Sequence, residues 1–532
     1  MIYDGRNIPD GATIEADICV VGAGPAGMSM ALQLMDEPGV QVALIESGGL
    51  EWDQRTQGLS DAEVKGQKYY PVTETHLRVF GGSSLSYGGV MTELGEIDFL
   101  ERPWVPESGW PFTKDALEPY QKRADEILGV NRIDPEDDVG DNPGGTKWET
   151  VPLSRPLVRF GKKYRETIES SSNVKALLHS TVTKLEVDPD ASRITGAVVK
   201  TFEGNSYRVT ARLFVLAGGG IEIPRLLLAS NDVMPAGIGN AFDNVGRYFQ
   251  EHPRIIDCYE LPEGSRDLAD RIAGAAGTLE FSRLALTDAT MRDEQLLNYL
   301  ANVAFGFVGQ HSEQWYATRR IGVTVKDPWR DSPYFQGIGG GRSKVRWSDV
   351  KTALIRPDLT ALSLAGVLLR PRSLRRWVEI ISGVEQAPHR HNRVVLTTER
   401  DELGMPRIEL QWSLDDLEKR TYERGRDLVL EELDRLIPGL SGNRMPVHET
   451  WPDGVVGTWH HAGTTRMNND PKLGVVDSDS KVHGMDNLYV TGSSVMPTSG
   501  ATAPTYTIVG LALRLADHVK QRLARGEAPA AG

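Results

Sequence analysis

The first sustained apolar run, Ile18 to Val21, has the length and composition of a strand buried on both faces, and it passes straight into Gly22-x-Gly24-x-x-Gly27. The helix that follows the glycines and a second apolar strand, Val42 to Ile45, complete a β-turn-α-β unit that ends in Glu46. Further on, Leu117, Tyr120, Ala124, Ile127 and Leu128 recur at helical spacing, while the Asp, Pro and Gly of Arg132 to Gly145 read as a loop. From Asn173 the period shortens to two. Val174 to Leu178, Val182 to Asp188, Ile194 to Phe202 and Tyr207 to Leu216 read as strands, with Glu203-Gly204-Asn205 as a hairpin turn. The last strand is wholly apolar from Leu213 to Leu216 and enters Ala217-Gly218-Gly219-Gly220. A helix should then start near Ile223-Pro224, where proline suits a first turn. Two β-type runs flank Asp401 to Gly404, and Leu414 to Leu436 is a long charged helix that stops before Pro438-Gly439. The tail gives a strand at Leu488 to Val490, a Gly492-Ser493-Ser494 turn, and a helix with Pro504 at its first turn and Ile508, Leu511, Leu515 and Val519 on its apolar face.

This order predicts an α/β (α+β) chain, with a Rossmann-like nucleotide-binding domain gathered from head, middle and tail and a second, antiparallel-sheet substrate domain. The segments are 1–97, 173–253 and 451–532 for the first, and 98–172 and 254–450 for the second. Two domains suit 532 residues and 58.5 kDa. No internal repeat or low-complexity segment stands out. A formal charge of −14 argues against nucleic acid or an anionic membrane as a general partner. With only Cys19 and Cys258, a disulfide framework or cysteine metal site is excluded, and no metal is expected. The N-terminus lacks the charged-then-apolar order of a secretion signal, so the cytoplasm is the default. The apolar stretch Leu359 to Leu369 is shorter than the ~20 residues a bilayer needs, so no integral membrane segment is expected. Followed by Arg370, Arg372, Arg375 and Arg376, it reads more plainly as a core helix with a solvated basic end than as a peripheral membrane helix.

The glycines carry the chemistry. Gly22 would turn the chain out of its strand, Gly24 would let the backbone approach a pyrophosphate, and Gly27 would let the helix pack on the sheet, with the phosphates at the helix N-terminus. Glu46 is placed to accept hydrogen bonds from an adenosine ribose. Gly81, Gly82, Gly88 and Gly89, interleaved with Ser83, Ser84 and Ser86, form a loop with few Cβ atoms that could lie against a flat or charged ligand, or simply be a surface loop. Near the C-terminus, His460 and His461 precede a Gly-Thr turn in GTWHHAGTTRM.

These blocks, in this order, resemble the glucose-methanol-choline (GMC) oxidoreductases: VVGAGPAG with Glu46, GGSS at Gly81 to Ser84, LAGGGIEIPRLLL, QEHP at Gln250 to Pro253, the EQAPHRHNRVVL run, and HHAGTTRM followed by VVDSDSKVHGMDNLYVTGSSVMP. The EQAPHRHNRVVL run and the SGWP element are most similar to the pyranose oxidase and bacterial glycoside oxidase branch. The resemblance implies FAD, carried on Gly22, Gly24, Pro25, Ala26, Gly27, Glu46, Ser47, Gly81, Gly82, Ser83, Ser84, Ser86, Tyr87, Gly88, Val182, Ala217, Gly218, Gly492, Ser493, Ala503 and Thr505. Some relatives attach flavin through a histidine in the GGSS loop; Ser86 stands at that place, which implies non-covalent FAD. The family's catalytic base implies His460, with His461 one place off, and Gln386, His389, His391 and Asn392 are candidate substrate-side groups or equally structural ones.

The chain departs from the family at the second catalytic position, where Asn or His is replaced by Ala503, and a methyl group neither donates nor accepts. Either His460 works alone, His461 or Thr502 substitutes, or the reaction differs from ordinary alcohol oxidation. With Pro504 as first helical residue, Ala503 would be the N-cap, leaving N–H groups of Thr505 and Tyr506 for the flavin's negatively charged edge. The implied reaction is oxidation of a CH–OH group of a sugar or glycoside, with oxygen or a quinone-like compound as acceptor. An unusual alcohol or amine oxidation, a lyase reaction, and a flavin-binding protein without catalysis are the rivals. The sequence leaves the oligomeric state open.

Overall fold

The computed structural model describes residues 1–131, 142–265, 282–307, 309, 312–326, 347–368, 374–445 and 450–528. Most of the loop expected from Arg132 to Gly145 therefore lies outside the described residues, as do Leu369, Arg370 and Arg372.

The apolar runs do become the central strands. Ile2–Asp4, Val174–Leu178, Val42–Ile45, Thr13–Val21 and Ser206–Leu216 pair side by side in parallel, their middle members buried on both faces as such a sheet requires. Ser206–Leu216 is the longest strand of this sheet, and its edge away from Thr13–Val21 is shared between two partners. Its first half pairs antiparallel with Ile194–Lys200, which pairs with Thr181–Val187, while Phe214 to Leu216 pair in parallel with Leu488–Val490. Head, middle and tail of the chain thus bring strand ends to one edge: Val21, Ile45, Leu216 and Val490 all finish there, where open parallel sheets bind their ligands.

The helices that follow these strands hold the edge together. Pro25–Leu34 packs along Thr505–Ala524, and both bury apolar faces against the parallel strands. Packing here is tight. A Cβ on Gly27 would stand 1.9 Å from the Gly22 carbonyl oxygen, which explains the third glycine of the motif as a helix-to-turn contact.

A five-stranded antiparallel sheet, Arg254–Glu260, Arg375–Val384, Tyr299–Phe307, Ser282–Leu286 and Thr146–Thr150, faces the same edge from the other side and packs its far face on Asp416–Leu436. Strand Ala62–Gly66 joins Pro406–Trp412 and Arg393–Arg400 in a small third sheet.

Three expectations need correction. The helix after Ala217 begins at Gly219 rather than near Ile223, so Pro224 lies inside it. Proline there has no N–H for the Gly220 carbonyl four residues back; the Thr464 hydroxyl donates to that oxygen at 2.6 Å instead. The C-terminal helix begins at Thr505, which places Pro504 rather than Ala503 at the cap. Finally, Pro357–Leu368 is not a core helix, since Pro357, Ala361 and Leu364 are exposed. Among the described residues no helix is long and apolar enough to cross a membrane.

Candidate active site

Between the two large sheets lies a cavity of about 750 Å³. One end is the strand edge, where Gly22, Gly24, Pro25 and Ala26 meet Glu46 and Ser47, with Val182, Ile223 and Met405 as an apolar wall. The middle is bounded by Gly82, Ser83, Ser84, Ser86, Tyr87 and Gly88 on one side and by Ala217, Gly218, Gly492 and Ser493 on the other. At the far end are His460, His461, Ala503 and Thr505 with side chains of the antiparallel sheet. Of the residues the sequence proposed for the cofactor, only Gly27 and Gly81 stand back from the lining. Gly81, at φ 98°, is needed because a Cβ would strike the Gly161 backbone at 2.3 Å.

Three helices turn uncapped N-termini toward this space: Pro25–Leu34 behind Gly24, Gly219–Ala229 behind Gly218, and Thr505–Ala524 behind Pro504, none with a side-chain cap. Such ends favour anions. Glu46 is buried, and its two carboxylate oxygens accept from the N–H of Ala23 at 3.0 Å and of Gly48 at 2.9 Å, so the acid ties the glycine turn to its own strand end. Burial pushes its carboxyl above the usual range, against the pull of these donors. Arg78, which the sequence did not single out, lines the same end; it pairs with Glu222 and donates to Ser60 at 2.7 Å and Ser47 at 3.2 Å.

The histidine end is organised by a buried carboxylate. Glu251, from QEHP, accepts from the hydroxyl of Tyr69, from the N–H groups of His252 (3.0 Å), Thr458 (2.9 Å) and His460 (3.0 Å), and from the Thr458 hydroxyl at 3.3 Å. Its own N–H donates to Gln386 Oε1 at 2.9 Å. One side chain thereby fixes the backbone that presents His460. Next in the chain, Gly463 holds a positive φ of 83° where a Cβ would meet the Tyr248 carbonyl at 2.2 Å, and a Cβ on Gly220 would meet the His461 carbonyl at 2.7 Å. The histidine segment is therefore wedged between the Gly219–Ala229 helix and the QEHP strand.

The hydrogen bonds around His460 determine its tautomer. The Thr458 hydroxyl has acceptors for its proton in Glu251 Oε2 and the His252 carbonyl, both at 3.3 Å, so its oxygen is free to accept from His460 Nδ1 at 3.1 Å. His460 Nδ1 also lies 2.9 Å from His252 Nδ1, which then acts as acceptor, and His252 carries its proton on Nε2 and donates to Ser499 Oγ at 3.2 Å. This assignment leaves His460 Nε2 without a proton, as a general base requires. Burial, then the neighbouring His252, His461 and Arg254, hold the imidazole well below its usual pKa, and burial lowers His252 to about 4; both rings are neutral at pH 7.

His461 differs. Tyr69 gives its only proton to Glu251, so its oxygen accepts from His461 Nε2 at 2.9 Å, and the ring packs on Phe249 and His76. His461 is a packing and hydrogen-bonding partner. The structure also sets Gln386, His389, His391 and Asn392 outside the cavity lining. Gln386 supports Glu251 and Trp412, His389 bonds Glu418 at 2.9 Å, and His391 and Asn392 bond Ser413. They brace the wall behind the site because the run that carries them turns away before strand Arg393–Arg400. His252 was the omission that matters. Its signal is the QEHP block, Gln250 to Pro253.

A family model described as GMC oxidoreductase matches residues 388–512, and relatives align along almost the whole chain. The fructose dehydrogenase large subunit of Gluconobacter japonicus is 22% identical, over 97% of this chain and 99% of that protein, and the 6'''-hydroxyparomomycin C oxidase of Streptomyces lividus is 25% identical, over 96% and 92%. Residues 388–512 carry the GMC oxidoreductase pattern, and the chain is similar along almost its whole length to oxidoreductases of alcohols and sugars. Solved structures share the fold: formate oxidase from Aspergillus oryzae RIB40 superposes with a TM-score of 0.55 at 16% identity, covering 97% of this chain and 100% of that one, and pyridoxine 4-oxidase from Mesorbium loti with 0.55 at 18%, covering 95% and 99%. A GMC oxidoreductase is an FAD-dependent oxidoreductase of CH–OH donors, and the cavity fits that cofactor on its own terms. A Cβ on Gly24 would project into the gap opposite Gly82 with nothing nearer than 3.9 Å, three uncapped helix ends line the space, and its volume is in the range of ligand sites. Among the described residues no cluster of His, Cys, Asp and Glu is placed to hold a metal ion.

Proposed function

We propose that this protein, as a GMC oxidoreductase, oxidises a secondary or primary hydroxyl of a sugar or glycoside, with His460 Nε2 as the base. The carrying observation is that His460 lines the cavity while its Nδ1 is engaged by Thr458 and His252, which leaves Nε2 as the nitrogen free for a substrate hydroxyl. Two relatives named for fructose and for a hydroxyparomomycin support a polyhydroxylated substrate. Bound FAD supplies the hydride acceptor. The protein's share is orientation and proton transfer. His460 Nε2 takes the hydroxyl proton, Glu251 keeps the histidine backbone in place, and the walls exclude water.

Thr502 makes good what Ala503 lacks. Its hydroxyl lines the cavity and accepts from Arg283 Nη1 at 3.2 Å, which leaves its proton available to a substrate oxygen. Ser86 donates to the Ser83 carbonyl at 3.1 Å and offers no imidazole for attachment, which supports non-covalent FAD. Oxygen or a quinone-like acceptor would reoxidise the enzyme.

The experiment is anaerobic mixing of the yellow holoenzyme with a panel of free sugars, methyl glycosides and simple amines. Bleaching by members of the first two groups is the expected result. Bleaching only by amines, or turnover of a glycoside to an eliminated product without bleaching, would replace the reading with an atypical reaction, for which the methyl group at Ala503 is the motive.

A further inference from the structure

The charged side chains that line the cavity are, with one exception, already satisfied. Glu46 holds two backbone N–H groups, Arg78 pairs with Glu222, and Arg283 pairs with Glu149 at 3.0 Å. Arg254 lines the same cavity and is exposed to it, yet its guanidinium has no hydrogen bond or ion pair among the described residues; only its main chain is engaged, with Val456. The acid nearest in sequence, Glu251, is saturated by its own donors. Arg254 is also remote from the nucleotide end. It follows His252 by two residues, and its charge is felt by the His460 ring.

The sheet beneath is shaped as a platform. Arg254 pairs with Gly383 and Gly383 with Leu300, and two residues along the same face lie Ile381 and Asn302, which pair with each other. All five line the cavity. Neighbouring strands are about 4.8 Å apart, so Arg254 and Asn302 are separated laterally by roughly 10 Å; Gly383 lies in register beside Arg254, with the Leu300 side chain packed over it. A guanidinium fork on the outer strand of a cavity wall, with a side-chain-free neighbour on one side, is suited to a carboxylate or phosphate oxygen pair.

We infer that Arg254 is the anchor for an anionic group on the substrate, so that the preferred substrate is an acidic polyol, a sugar acid or sugar phosphate, held with its reacting hydroxyl at His460. This rests on the sugar reading above and narrows it.

The test uses wild-type and Arg254→Gln holoenzymes, with Arg254→Lys as the conservative control. Anaerobic flavin reduction is followed with methyl glucoside, methyl glucuronide and glucose 6-phosphate. In the wild type, kcat/KM for at least one anionic sugar should exceed that for the glucoside tenfold or more, and which anion gains distinguishes carboxylate from phosphate. In R254Q that ratio should fall to near one, through KM, while R254K keeps part of it. Equal rates for neutral and anionic sugars in the wild type, or an unchanged ratio in R254Q, would overturn the assignment. If no sugar reduces the flavin, the substrate reading fails by itself; the anion site is then read by titrating sodium acetate and inorganic phosphate into the oxidised holoenzymes. A change in the flavin spectrum that R254Q abolishes upholds it, and identical titrations of the two proteins refute it.

Discussion

Thr458→Val probes the proton arrangement at His460 with little change of shape. In the native structure the Nδ1···Nδ1 pair of His252 and His460, at 2.9 Å, is symmetric between two neutral rings, and either nitrogen could hold the proton. The Thr458 oxygen, 3.1 Å from His460 Nδ1, breaks the symmetry because its own hydrogen is taken by Glu251 or the His252 carbonyl. One neutral hydrogen bond is worth about 1 kcal/mol net, a bias of roughly fivefold toward the tautomer with a bare Nε2. T458V removes that bias, raises the share of molecules with the proton on the wrong nitrogen from about one in six to about one half, and should slow flavin reduction by somewhat under twofold. The double variant with His252→Phe leaves Nδ1–H with no acceptor; an unsatisfied buried donor costs about 1–3 kcal/mol, so Nε2–H is favoured and the rate should fall roughly 5- to 150-fold. The assay is anaerobic stopped-flow reduction at saturating substrate, with FAD content and Tm measured on the same preparations to show that the fold is kept. The effect should sit in the limiting rate and not in substrate affinity. A double variant within twofold of the wild type would refute the tautomer assignment, and with it the reason for treating Nε2 as the base.

His460→Ala should retain FAD and lose about 10²- to 10⁴-fold in flavin reduction, the usual share of a positioned base; unchanged reduction would remove His460 from the reaction. Gly24→Ala and Gly27→Ala should separate binding from folding. The first adds a methyl with no heavy atom nearer than 3.9 Å and should leave apoprotein Tm nearly unchanged while weakening FAD binding, whereas the second collides with Gly22 and should lower apoprotein stability. His252 is held to about 4 in the folded protein and returns to its ordinary value near 6.5 on unfolding, so the unfolded chain takes up the proton first. Stability should therefore be full above about pH 6.5 and decline as pH falls toward 4, by up to ~3 kcal/mol from this group, and His460 and His461, shifted in the same direction, add to the slope. Urea unfolding midpoints between pH 4 and 8 measure it, with H252F giving the shallower curve.

What the sequence made legible was whatever depends on backbone geometry. Gly22, Gly27 and the apolar strands declare their places by spacing, because a parallel strand entering a tight turn has few alternative solutions. Side-chain roles were less legible because they depend on residues hundreds of positions apart. Pro224 looked like a helix start since proline favours that place, and only the distant hydroxyl of Thr464 makes it tolerable inside the helix. His389 and His391 had the residue type of a substrate site but sit behind its wall, whereas His252, one more histidine in a short polar block, makes the contact that counts. Glu251 is the same case: an acid beside a histidine says nothing about its donors until Tyr69 and Thr458 arrive from other parts of the chain.

The lowered pKa of His460 bears on how the base proposed above would serve an alcohol. Burial and the surrounding cations and rings keep the imidazole neutral through the whole working range, so none of the enzyme is lost to the protonated form. A base that weak cannot strip a proton from a resting hydroxyl whose own acidity is near that of water. The hydroxyl becomes acidic only as the C–H bond yields and carbonyl character develops, so proton transfer to Nε2 has to accompany that change and cannot precede it. The imidazolium that results is then disfavoured by the same burial, which speeds its return to the neutral form once product leaves. The acid limb of kcat/KM should accordingly lie below pH 6.5, and solvent and substrate deuteration should slow flavin reduction together; an acid limb above 6.5, or a solvent effect confined to binding, would mean that a different group carries the proton.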